Sequence, residues 1–238
     1  MHRGHHRVDP EGTVEAARRH GVVLVLAVRP GDVVGEGTPL ATAAPREADH
    51  VDVDALAREL AGAVVLGPER TEEQDVAFGL RQLVDIAIKA ISPAVNDPTT
   101  AAEALSFCGD LLMLLQQRRL GAQAVRDADG VVRAVLPDRD VDYYFDLVCA
   151  QPRRYGRGDP AVLVALLRLL RDCATVARDD AQRSAVRAQA GLVLEEASDG
   201  MLDHDARAVR DMARRVELAL AGGVVEAYRD RAGETRSI

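Results

Sequence analysis

The chain has very little aromatic surface: Phe, Trp and Tyr make up 3% of 238 residues, and tryptophan is missing. Base-stacking platforms and aromatic cages for cationic ligands are therefore nearly excluded. Lysine is scarcer still, since Lys89 is the one lysine among 30 basic residues. A phosphate-binding loop needs Gly-Lys-Ser/Thr, which does not occur, and Schiff-base chemistry would fall on Lys89 alone, between Ile88 and Ala90 in an expected helix. Three cysteines, Cys108, Cys149 and Cys173, stand too far apart for a zinc ribbon or a disulfide framework. They read as buried small hydrophobes in a reducing compartment. There is no Gly-x-Ser-x-Gly nucleophile signature either. No run approaches the ~18 apolar residues that cross a bilayer. Met1–Asp9 is polar and basic, with no apolar signal core behind it. The chain by itself is expected to be soluble and not exported.

What remains is an Ala/Val/Leu-built protein, 47% hydrophobic, 29% charged and with a net charge of -8. That length and apolar content suffice for one large domain or two small ones. The acidic balance suits a soluble surface and argues against a nucleic-acid partner. The expected fold class is α+β. Residues 1–50 form a small β-rich, barrel-sandwich-like module, 51–228 a helical domain with a hairpin near 122–136, and 229–238 a disordered tail.

Local signals support this division. Val22–Val28 is a β-branched run of strand length, preceded by a short helix that Asp9-Pro10-Glu11 opens. Gly31-Asp32-Val33-Val34-Gly35-Glu36-Gly37-Thr38-Pro39-Leu40 is similar to the signature of biotinyl and lipoyl carrier barrels, but a carrier needs a lysine in its hairpin and this segment has none. A short helix is expected from Val53 to Ala61. The first long helix opens with a capping box, Thr71-x-x-Gln74, and carries Arg81, Asp85 and Lys89 four apart on one face, where opposite charges can pair. Ser92-Pro93-Ala94-Val95-Asn96 ends it, and Asp97-Pro98 starts the next, which is apolar nearly all round from Leu105 to Leu115 and is expected to be central. After the hairpin, with its turn at Asp127–Gly130, helices are expected over Val141–Ala150, Asp159 to about Ala177, Asp180–Ala197 and Asp203–Ala221.

Three stretches carry a family resemblance: Gly67–Asp75, Phe78–Ala87 and Ser92–Ala101, with earlier pieces at Gly4–Asp9 and Arg29–Asp32. Together they resemble the bacterial predicted membrane proteins called domain of unknown function 2254, over roughly residues 4 to 222. The resemblance implies transmembrane helices upstream that are absent from this chain; the free cysteines and the lack of an export signal place it, as an expectation, on the cytoplasmic face of the membrane. It implies no activity.

The break between the two long helices is the best candidate site. Free amides at a helix start can hold an anion. The ligand-binding set expected there is Arg70, Arg81, Gln82, Asp85, Ser92, Asn96, Asp97, Thr99 and Thr100. The plainer alternative is that Asn96 and Asp97 only turn and cap the chain. Glu69, Glu72, Glu73, Asp75 and Asp85 could supply an acid–base pair, but most lie where a helix dipole favours acids anyway. His2, His5 and His6 form a cluster near Asp9 without the further ligands a dedicated metal site needs. No catalytic residue, metal or cofactor is expected. The leading reading is a non-enzymatic ligand- or partner-binding or oligomerisation module, expected to be a homo-oligomer. The alternative is a hydrolase or transferase acting on an anionic substrate at the Arg70/Arg81/Asn96/Asp97 cluster.

Overall fold

The computed structural model describes residues 4–47, 50–67, 75–198 and 201–229, leaving aside the side chains of 4–7, 65–67 and 198. The expected capping box at Thr71–Gln74 and the tail beyond Arg229 lie outside the described residues. The chain divides into two compact units, Met1–Phe78 with Leu120–Asp140, and Gly79–Arg119 with Val141–Ile238.

The first unit is built on two short sheets. Strand β1 (Gly4–Val8) pairs antiparallel with β3 (Val33–Val34) and β5 (Val64–Gly67). Strand β2 (Val22–Leu26) pairs antiparallel with β4 (Ala41–Pro45) and parallel with β7 (Val132–Leu136), which forms a hairpin with β6 (Gln123–Arg126). Helix α1 (Pro10–Arg19) starts as its sequence demands, with the Asp9 carboxylate accepting from the Glu11 amide at 3.0 Å and proline in the first turn. It packs on β2, β7 and α2 (Val53–Ala63). Their shared core holds Val8, Ala16, Ala17, Val22, Leu24, Leu26, Leu56 and Leu60.

The hairpin therefore belongs with the N-terminal module, and the expected boundary at residue 50 does not divide the structure. The physical reason is the β2–β7 pairing, Leu24 opposite Ala134 and Val25 opposite Val135, which extends a sheet that residues 1–50 could not complete alone. The small β module expected to be barrel-like takes the form of these two open sheets. The hairpin turn is held by Asp127, which accepts from the Asp129 and Val131 amides and from Arg133 Nε at 2.6 Å. Arg133 also reaches Glu47 at 3.1 Å, so the β7 arginine ties the turn to the end of β4.

The second unit is helical. It contains α4 (Pro98–Leu115), α5 (Val141–Tyr155), α6 (Pro160–Val176), α7 (Asp180–Ser198), α8 (Asp203–Leu220) and the short α9 (Val224–Ala227). Most of α3 (Val76–Ala90) counts with it. Helix α6 is the hub, packing on α4, α7, α8 and more lightly on α5. It is buried nearly all round, from Val162 and Leu163 through Leu166, Leu167 and Leu170 to Cys173. The centrality expected of α4 belongs to α6, because α4 leaves Phe107 60% and Leu114 57% exposed. Helix α5 also runs past its expected end at Ala150, through Pro152 to Tyr155. Proline there sits within the last turn, where its missing N–H removes a single bond, and the Gly156 amide returns to the Pro152 carbonyl at 2.8 Å. Gly156 is required by space: a Cβ would stand 2.4 Å from Val162 Cγ1.

If β2–β7 pairing organises the first unit, a charge at Ala134, which is fully buried, should destabilise it by at least about 3 kcal/mol. Urea unfolding of Ala134→Asp followed by far-UV circular dichroism measures this. A loss under about 1 kcal/mol, the size of an ordinary surface substitution, would show the hairpin to be an appendage.

Candidate functional site

The α3–α4 break is a closed turn. The Ile91 amide donates to Ala87, the Ser92 amide and hydroxyl both reach the Lys89 carbonyl, and the Asp97 amide bonds the Ala90 carbonyl at 2.7 Å. Asn96 donates back to the Ser92 carbonyl and adopts φ 50, a left-handed conformation that asparagine tolerates better than most residues. At the start of α4, one Asp97 oxygen accepts the Thr100 amide at 3.0 Å and the other the Thr100 hydroxyl at 2.6 Å. These bonds, the hydroxyl's foremost, hold the Asp97 carboxyl below the usual carboxylate range. Pro98 has no amide to offer. The place an anion would take is thus occupied by the protein's own carboxylate.

Of the expected site residues, the turn brings together Ser92, Asn96, Asp97 and Thr100. Arg81, Gln82 and Asp85 sit on α3, with Arg81 eleven positions before Ser92, or about 16 Å along a helix. Among the described residues, no ion pair joins Arg81, Asp85 or Lys89, so the expected pairing on that face is not formed. Arg70 lies outside the described residues, with Glu69, Glu72 and Glu73. Asp75 is buried in the first unit, where it accepts from the Phe78 amide at 3.2 Å and from Arg139 at 3.3 Å. That arrangement caps α3 and locks an ion pair, an unpromising setting for a proton-shuttling acid. His2 and the side chains of His5 and His6 lie outside the described residues, and among those described no group of three or more His, Cys, Asp or Glu could hold a metal ion.

Thr99 leads elsewhere. It stands at one end of a 300 Å³ cavity between α4 and α6. Its floor comes from small or apolar residues: Ala102 and Gly109 on α4, Ala165 and Leu169 on α6. Gly109 permits the approach of the two helices, since a Cβ there would meet Leu169 Cγ at 3.2 Å. The α4 rim presents Glu103, Ser106 and Asp110, and the α6 rim presents Arg168, Arg171 and Asp172.

Two of the α6 charges are committed to each other. Arg171 is buried and holds Asp172 Oδ1 through Nε at 3.0 Å and Nη2 at 2.9 Å. Its guanidinium lies 4.0 Å from the centre of the Tyr228 ring, and the Tyr228 hydroxyl donates to Asp172. Burial, and then the bond to Asp172, push the Tyr228 hydroxyl up to about 12. Glu103 and Asp110 have no hydrogen bond or ion pair among the described residues. Sequence reading missed this site. Its trace there is a pair of acids seven apart in an otherwise apolar helix, beside a glycine.

Comparison with known proteins agrees with the resemblance carried by the Gly67–Ala101 stretch. The family described as predicted membrane protein, domain of unknown function 2254, matches residues 5–172. The chain belongs to that family. Uncharacterized proteins Mb1321c of Mycobacterium bovis and Rv1290c of Mycobacterium tuberculosis are each 37% identical over 203 residues, 85% of this chain and 39% of the relative. Uncharacterized protein MT1328 of Mycobacterium tuberculosis is 42% identical over 146 residues, 61% of this chain and 28% of the relative. The chain thus spans well under half the length of the relatives it matches. No solved structure matches. Among the described residues of this DUF2254 chain, no helix is long and apolar enough to cross a membrane.

The thiols of this family member are placed against chemistry. Cys108, Cys149 and Cys173 are buried in the second unit on α4, α5 and α6. Burial pushes the Cys108 thiol up to about 12 and raises Cys149 and Cys173 as well. A thiol-specific reagent at pH 8 should label none of them in the folded chain and all three after unfolding in urea. Rapid labelling of one cysteine in the native chain would contradict the packing described here.

Proposed function

We propose that this chain is a non-enzymatic ligand-binding module of a bacterial membrane protein, with the α4–α6 cavity as its binding site. The observation that carries the reading is the cavity's construction. It has a size in the range of small-molecule sites, an apolar floor, and a rim that includes two acids with no partner among the described residues. The Asp97 carboxylate that fills its own helix start supports placing the ligand here instead of at the Ser92–Thr100 turn.

Family membership supplies the membrane context, and the three buried free thiols support a reducing, cytoplasmic setting. The exposed Phe107 and Leu114 on α4 support self-association as the way the module assembles its membrane portion. Since the relatives are more than twice as long as the region they share with this chain, the activity of such a whole protein is part of the proposal.

The test is a ligand-observed NMR screen of small amphiphiles with cationic, anionic and neutral heads, run against wild type, Ser106→Trp and Arg81→Ala. At least one amphiphile should bind wild type and Arg81→Ala, and lose binding to Ser106→Trp, whose indole fills the groove. Loss on Arg81→Ala alone would move the site to the α3–α4 side. Binding by none of these amphiphiles and by no linear amine would sink the ligand-binding reading.

A further inference from the structure

We propose that the α4–α6 groove binds a linear aliphatic oligoamine, its ammonium groups held by Glu103 and Asp110. The inference rests on the ligand-binding reading above and gives its cavity a ligand class.

Shape comes first. The α4 residues lining the groove run from Thr99 to Asp110, about 16 Å of helix, so the cavity is elongated. Glu103 and Asp110 are two turns apart on one face, which places them about 10 Å from each other along the axis. That separation rules out joint chelation of a single metal ion. It matches two ammonium groups at the ends of an extended linear triamine. Along the groove the floor is Ala102, Gly109, Ala165 and Leu169, against which methylene stems can lie. The hydroxyls of Thr99 and Ser106 add acceptors for ammonium N–H groups.

Charge decides the sign of the ligand. Arg171 is neutralised by Asp172 and stacked on Tyr228, and Arg168 has an interaction of its own. The two rim charges without a partner among the described residues are both carboxylates. An anionic ligand would meet them uncompensated, whereas an oligoamine completes them.

The experiment is isothermal titration of the full chain with spermidine at low salt, repeated at physiological salt. Spermidine should bind with submillimolar affinity that weakens as salt rises. Glu103→Gln and Asp110→Asn, both at exposed positions, should each weaken binding about fivefold, and the double variant should abolish it. Glu195→Gln, an exposed acid on α7, should change nothing. Ethylenediamine, too short to bridge the two acids, should bind wild type no better than spermidine binds either single variant. Equal weakening by Glu195→Gln would reduce the effect to the net charge of -8 and overturn the proposal. If spermidine fails but an anionic or neutral amphiphile binds wild type and is excluded by Ser106→Trp, the oligoamine class falls and the cavity reading stands. If no probe distinguishes wild type from Ser106→Trp, both fall.

Discussion

The helical unit depends on the burial of one helix. Helix α6 meets α4, α7 and α8 on different sides, and its leucines leave almost no side facing water. Burying a leucine stabilises by about 1.5–3 kcal/mol, so the run from Leu163 to Leu170 outweighs any exposed ion pair in this unit. The Asp159 carboxylate, which accepts from the Ala161 amide at 2.8 Å, and Pro160 fix where α6 begins. From that start the register is set. Leu169 faces Gly109, and Arg171 and Asp172 arrive together beside Tyr228. The cavity is a consequence of the same register, because α4 approaches α6 at small residues and leaves its acids on the rim.

The charged cluster on α6 shows how packing makes a polar group serviceable. A buried arginine is costly without a partner. Arg171 has one from its neighbour in sequence and an aromatic face from the last described turn of the chain. With those charges satisfied internally, the exposed acids of the groove, Glu103 and Asp110, lie on its α4 side. Binding as proposed there would rest on stems and point charges rather than on deep enclosure, so modest affinity and strong salt dependence are expected of it.

Much of the fold was legible from local signals. Asp9-Pro10, Asp97-Pro98 and Asp159-Pro160 each start a helix where the capping chemistry requires one, and the Asp127–Gly130 turn makes its hairpin. What local signals could not carry was the hairpin's destination. The pairing of Leu24 with Ala134 links segments more than a hundred residues apart, and nothing near either strand encodes it. The apolar run of α4 misled for a related reason: composition counts leucines but does not say which helix receives more neighbours. At the candidate site, the helix break was readable from Pro93 and Pro98, yet its openness to an anion turned on where the Asp97 oxygens point. The groove was hidden because it lies between two helices sixty residues apart, and its acids look like ordinary surface charge.

Native mass spectrometry of the purified chain with spermidine and the amphiphiles added in turn at low salt, wild type beside Ser106→Trp and Arg81→Ala, tests the central claim most directly. A reproducible small-molecule adduct on wild type and Arg81→Ala that Ser106→Trp lacks is the predicted result. An adduct carried equally by wild type and Ser106→Trp, or lost with Arg81→Ala alone, would contradict the assignment of the α4–α6 groove as the working site.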